Sequence, residues 1–189
     1  VYGGSLGASF FSQYLTSIIC ALPKEIKNNL KISQQVRKEH INSVSQVYKS
    51  HNIDCEISTF FDDISHKFKI AHLIITRAGG STIAEILASN RPVILVPFPN
   101  SLDNHQLQNA RFIEANNGGW VFDQTKSDIN ELSTLIKNIL TNPQKLLKAS
   151  KKLELLSKRL QNLRQKETPE KVLSDLILEI INDNQKGYS

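Results

Sequence analysis

"HLIITRAGGSTIAEILASNRPVILVP", His72 to Pro97, decides the fold. An apolar run, "HLIITR", ends at Arg77, and two glycines open a turn. Helical apolar spacing then runs from about Ser81 to Ser89, and a second run, "PVILVPFP", starts at Pro92. Runs that are apolar almost throughout suit strands covered on both faces, which is the situation in a parallel sheet wrapped by helices. The turn between them holds more special residues than a connection needs: Gly79, Gly80, Ser81 and Thr82, with Glu85 one turn later.

The same alternation extends in both directions. "ASFFSQYLTSIICAL" is helical and ends at Pro23, "LKISQQV" is a short strand, and "RKEHINSVSQVYKSHN" is helical. "IDCEISTF" alternates as a strand, and "DDISHKFKIA" suits a short helix capped by Asp62 or Asp63. Downstream, "NHQLQNARFIEANN" is helical and stops at Gly118-Gly119, "GWVFD" is a short strand, and helices follow from Ser127, broken near Pro143 and near Thr168-Pro169. Strand-helix alternation of this kind predicts an α/β, Rossmann-like parallel sheet flanked by helices. Such sheets bind ligands outside the carboxyl ends of their strands. The loops "GGSLGA", "TRAGGST" and "PFPNSLDNHQ" fall there, so they are expected to line one crevice.

Composition narrows the function. The 189 residues suffice for one substantial core. The net charge of +5 comes from widely spread Lys and Arg, densest between Lys145 and Lys171. No aromatic residues interleave with them, which argues against nucleic acid, whereas an anionic membrane surface or substrate fits. Cys20 and Cys55 lack metal or redox spacing and read as buried, reduced thiols, and His40, His51, His66 and His72 share no metal-like spacing. There is no methionine, and the chain opens on Val1-Tyr2 directly before a glycine-rich turn. A strand normally precedes such a turn, so the reading expects the C-terminal part of something longer.

Each loop has a bland reading beside a functional one. "GGSLGA" is either a tight turn or a phosphate loop set on a helix N-terminus, where free N–H groups and a partial positive charge favour anions. In "RAGGST", Ser81 or Thr82 can cap a helix, and Thr82 with Glu85 matches a capping box. Alternatively Glu85 accepts both hydroxyls of a ribose, as acidic residues do in dinucleotide sites. Asp103 or Asn104 closes the next helix, while Gln106 in its first turn faces the crevice and His105 is a weak candidate acid or base. No serine has nucleophile-elbow sequence and no carboxylate pair is placed for catalysis.

Taken in order, "GGSLGA", "FFDDI", "TRAGGSTIAEILASNRPVILVPFP" and "DNHQLQNA" resemble the C-terminal half of the MurG family of bacterial peptidoglycan glycosyltransferases. These enzymes move N-acetylglucosamine from UDP-N-acetylglucosamine to the undecaprenyl-linked muramyl-pentapeptide, lipid I, giving lipid II. The resemblance implies the C-terminal domain of a GT-B glycosyltransferase: 1–182 the nucleotide-sugar-binding domain, 127–182 its C-terminal helices, and 183–189 a tail. The acceptor domain, with the candidate base and the membrane-facing patch, is expected to be absent from this chain. By motif, the backbone at Phe61 reads the uracil edge with Phe60 beside the ring, and Glu85 binds the ribose. Gly80, Ser81 and Thr82 hold the diphosphate, Ser5 sits near diphosphate and sugar, and His105 and Gln106 face the N-acetylglucosamine hydroxyls. Leu6 stands where glutamine is frequent in the family. The resemblance implies no cofactor and no metal in this half, an inverting displacement, and a peripheral place on the cytoplasmic face of the inner membrane. The alternative is a non-catalytic nucleotide-sugar-binding subunit that needs a separate membrane-bound partner chain. A UDP-sugar epimerase of related fold would need acid and base residues that the sequence does not show.

Overall fold

A computed structural model describes residues 1–3, 9–99, 101 and 104–164. A π-helical turn, Phe11–Leu15, runs directly into the helix Thr16–Cys20, and the two form α1. Then come α2 (Lys24–Lys27), β1 (Lys31–Gln35), a 3-10 turn (Lys38–His40) and α3 (Ile41–Ser50). Next are β2 (Asp54–Ser58), α4 (Ile64–Ile70), β3 (Ile74–Thr76), α5 (Gly80–Ser89) and β4 (Val93–Leu95). The series continues with α6 (His105–Ala115), β5 (Gly119–Val121), α7 (Ile129–Leu140) and α8 (Pro143–Arg164). The helix expected beyond Thr168-Pro169 lies outside the described residues.

All strand pairs are parallel. β1 pairs with β2, β3 with β4, and β4 with β5. Val1 and Tyr2 join these two groups. Gln35 N donates to Val1 O at 3.0 Å, Tyr2 N donates to Ile75 O at 2.9 Å, and Tyr2 bridges Thr76 in parallel. Counting that segment as first, the spatial order runs third, second, first, fourth, fifth, sixth, which is the doubly wound arrangement. Chain direction across the sheet reverses between Tyr2 and β3. The loop after β3 therefore flanks the switch point, where this architecture opens its crevice.

Period-two side chains serve both faces of the sheet. Ile75, Ile94 and Val96 join one core with Phe11, Leu15, Val44, Tyr48, Leu132 and Ile136, from α1, α3 and α7. Ile74, Val93 and Leu95 join the other, with Phe68, Ile83, Ile86, Ile113 and Leu153, from α4, α5, α6 and α8. Helix α7 starts with a full capping box: Asp128 accepts from Asn130 N at 2.8 Å, and Glu131 accepts from Asp128 N at 3.2 Å.

Several boundary expectations are corrected. Asp63 is the N-cap of α4, but its side chain makes no capping bond and instead lies 3.8 Å from Lys67 Nζ. Helix α6 does not end through glycine. Asn117, at φ 56°, makes the left-handed turn, as Asn52 and Asn90 do after α3 and α5. Gly118 and Gly119 are required for space: a Cβ on Gly118 would lie 2.6 Å from Leu153 Cδ2, and one on Gly119 would strike Val93 O. Both cysteines are free, with Cys20 buried and Cys55 only half-buried.

Candidate functional site

Helix α5 begins at Gly80, with Gly79 extended (φ −64°, ψ 151°) as its N-cap and no side chain capping it. The expected capping box is therefore absent. Thr82 is already the third helical residue and Glu85 the sixth, too far along for the reciprocal bond. The first N–H groups of a helix have no intrahelical acceptor, and those of Gly80, Ser81 and Thr82 have no acceptor among the described residues. Ser81 is exposed and Thr82 buried. Glu85 follows them by four and three residues, hence on the same face and about 5 Å along the axis.

Glu85 is half-buried, and its side chain makes no hydrogen bond or ion pair among the described residues. Burial pushes its carboxyl above the ordinary range. The free fold thus disfavours the carboxylate. The cost to stability is present above the ordinary carboxylate range and vanishes as pH falls below it. A ligand that donates two hydroxyl hydrogens would favour the ionised form again. For the ribose role expected of Glu85 from the sequence, uridine affinity is highest above the raised range and falls as pH drops through it, whereas Glu85→Gln shows a flat profile. Calorimetric titration with uridine across pH 4 to 7 checks this, and identical profiles for the two proteins would remove Glu85 from the site.

The next loops are locked together by one helix start. Gln106 Oε1 accepts from Ala78 N at 3.2 Å and from Phe98 N at 3.0 Å, and Asn109 Nδ2 donates to Ala78 O at 2.9 Å. Gln106 thus braces the loops after β3 and β4, and its amide oxygen is committed to the protein. Only its amide nitrogen stays open to a ligand, which narrows the crevice-facing contact expected of it. Gln106 and the start of α5 stand together at the tips of β3 and β4. His105 opens α6 and is exposed. Asn104 precedes it at φ 56° with no side-chain capping bond. Ser5 and Asp103 lie outside the described residues.

Phe60 and Phe61 follow β2 at the same carboxyl end of the sheet. Ser58 Oγ donates to Phe60 O at 2.6 Å and accepts from Phe60 N at 3.2 Å, folding a tight local turn. Phe60 is 62% exposed and Phe61 only 6%. The Phe61 ring is covered by Lys67 Nζ, 4.8 Å from its centroid, and Phe61 lines a cavity of about 620 Å³ together with Tyr2, Ile32, Phe68 and Ile75 and the charged Glu56 and Asp63. That ring is unavailable for stacking on a base. The backbone N–H and C=O of Phe61 make no hydrogen bond among the described residues, which leaves a donor-acceptor edge beside the exposed ring of Phe60. Helix α4, which begins just after this turn, packs in the same core as α5.

Sequence reasoning missed Arg77. It is 7% exposed, and its Nη1 donates to Val96 O (3.0 Å), Pro97 O (3.1 Å) and Gln124 Oε1 (2.7 Å). Its guanidinium carbon lies 5.2, 5.2 and 5.5 Å from the ring centroids of Phe10, Phe11 and Phe98. The only sequence signal was an arginine closing an apolar strand. Its partners are carbonyls and rings from three separate segments, which no local spacing reveals.

Strand order and the crevice at the switch point define a doubly wound α/β domain. The chain belongs to the glycosyltransferase family 28 C-terminal domain family, which matches residues 1–166. It is 44% identical over 146 residues to the UDP-N-acetylglucosamine--N-acetylmuramyl-(pentapeptide) pyrophosphoryl-undecaprenol N-acetylglucosamine transferase of Wolbachia pipientis subsp. Culex pipiens, covering 77% of this chain and 43% of that protein. The transferase of the same name from Paramagnetospirillum magneticum is 35% identical over 150 residues, covering 79% and 40%. The chain thus spans less than half the length of these curated relatives. The crystal structure of Acinetobacter baumannii MurG superposes with a TM-score of 0.72 at 24% identity, over 88% of this chain and 51% of that one. The fold is therefore that of a GT-B C-terminal domain.

Proposed function

We propose that this chain is the donor-binding part of an inverting hexosyltransferase that moves N-acetylglucosamine from UDP-N-acetylglucosamine to lipid I, giving lipid II for peptidoglycan. The observation that carries the proposal is the pairing of an uncapped α5 N-terminus with Glu85, a partly buried acid with no partner among the described residues. The first suits a diphosphate and the second a ribose. The free peptide edge of Phe61, beside exposed Phe60, suits a uracil. The relatives named above supply the sugar and the acceptor.

Residues 1–182 act in this reading as the nucleotide-sugar domain, and Ser5 lies near the diphosphate and sugar. The acceptor hydroxyl attacks the anomeric carbon and gives its proton to a base outside the residues assigned here, the bond to the diphosphate oxygen breaks, and configuration inverts. The leaving UDP carries the electron pair, and the N–H groups of Gly80, Ser81 and Thr82 with the α5 dipole stabilise it. His105 and the amide nitrogen of Gln106 face the sugar. The residues assigned here touch only the donor.

The enzyme would work as a peripheral protein on the cytoplasmic face of the inner membrane. The net charge of +5 favours an anionic surface, and no helix among the described residues is long and apolar enough to cross a membrane. Calorimetry of the chain with UDP, ADP and GDP tests the base assignment. UDP is expected to bind at least several-fold more tightly than the purine diphosphates, and equal affinities would rule out a uracil site.

A further inference from the structure

Arg77 is a buried cation for which the described residues offer no carboxylate. Three carbonyl-type oxygens and three aromatic faces surround it, and its Nε has no hydrogen-bond partner. Burial lowers its pKa to about 10, so it remains charged at neutral pH. Carbonyl dipoles and ring quadrupoles offset part of the desolvation cost, but none supplies a full negative charge. A few residues away, the α5 N-terminus adds a second positive end that is also uncapped. The strand tips therefore hold two positive features and no described anion between them.

Its contacts are equally specific in placement. Val96 and Pro97 follow β4, Gln124 follows β5, Phe10 and Phe11 open α1, and Arg77 itself follows β3. One side chain thus fixes the segments that surround the crevice. We infer that Arg77 is a positioning residue that sets these strand tips and whose uncompensated charge makes the site select a nucleoside diphosphate over a nucleoside, acting through its field without touching the ligand. This deepens the donor-site reading above and rests on it. The residue serves twice at the leaving group: it holds the loops still, and its charge favours the state in which the diphosphate has gained negative charge.

The test compares wild-type chain, Arg77→Gln and Arg77→Lys by calorimetry with UDP and with uridine. Glutamine can still donate to the Val96 or Pro97 carbonyl but carries no charge, whereas lysine keeps the charge without the fork. A unit charge within about 8–10 Å in a partly buried site alters dianion binding by roughly tenfold or more. Arg77→Gln is therefore expected to lose about tenfold more affinity for UDP than for uridine, while Arg77→Lys keeps the wild-type UDP-to-uridine ratio within about threefold. A purely structural role would weaken both ligands in proportion in both variants, and that result overturns the inference. If the glutamine variant does not fold, Arg77→Met takes its place as the neutral variant: the same tenfold excess loss for UDP is expected, and a proportional loss of both ligands overturns the inference. Wild-type chain that binds neither ligand would instead remove the donor-site reading itself, a separate outcome.

Discussion

Glu85→Ala is expected to weaken UDP binding roughly thirtyfold while leaving the fold intact. Each hydrogen bond from a ribose hydroxyl to a carboxylate contributes about 1.5–3 kcal/mol. Part of that gain is offset by the desolvation that already raises the Glu85 carboxyl. A net loss of about 2 kcal/mol corresponds to the stated factor. Stability should hold or rise slightly, because the side chain gives up no internal bond and its burial in charged form is a cost. The proper control is Asn104→Gly. Asn104 sits at φ 56° without a side-chain capping bond, so glycine keeps its backbone and removes only the amide. An alanine there would add strain and confuse the comparison. UDP affinity of Asn104→Gly is expected to stay within about twofold of wild type. Matching losses in the two variants would mean that the acid is not the ribose ligand.

The contrast between Glu85 and Gln106 shows where sequence reading reaches and where it stops. Apolar runs such as Ile74–Thr76 and Val93–Leu95 are legible because a strand buried on both faces leaves few polar residues in it. The glycine turn before α5 is legible because only a narrow set of residues opens a helix onto a strand tip. The cap is not legible, because Thr82-x-x-Glu85 fits a capping box in letters. The helix instead starts three residues earlier than that box requires, at Gly80, and that start leaves the Glu85 side chain without a partner among the described residues. Gln106 reads as a polar residue facing a crevice, yet its oxygen ties Ala78 N to Phe98 N across 28 and 8 residues of chain. Long-range pairing of this kind leaves no periodic trace. Arg77 escaped notice for the same reason, since an apolar strand end says nothing about carbonyls delivered from β4 and β5. The sheet order was also out of reach. It depends on two residues, Val1 and Tyr2, pairing with both β1 and β3.

Gly119→Ala is expected to destabilise the chain by about 3 kcal/mol, at the upper end of what overpacking costs. For a chain of this size that lowers Tm by roughly 6–12 °C. Gly119 pairs with Val93 across β5 and β4, and its added Cβ would meet Val93 O and lie 2.7 Å from Val93 Cγ1. The oxygen belongs to backbone held between β3 and β5, so it cannot rotate aside. The edge strand must move instead, straining the bond from Phe122 N to Leu95 O and the bond from Val121 N to Glu114 Oε1. Gln124, three residues beyond the strand, would shift with it and loosen its contact with Arg77. Gly118→Ala meets Leu153 Cδ2 and Cγ at 2.6 and 2.8 Å, and Leu153 is fully buried, so about 2 kcal/mol is expected there. Gly80→Ala meets nothing within 4 Å and places alanine in a helix, so Tm should stay level or rise. Thermal unfolding of the three variants ranks them directly. If Gly119→Ala melts with Gly80→Ala, β5 is not held against β4 as closely as the Val93–Gly119 register requires.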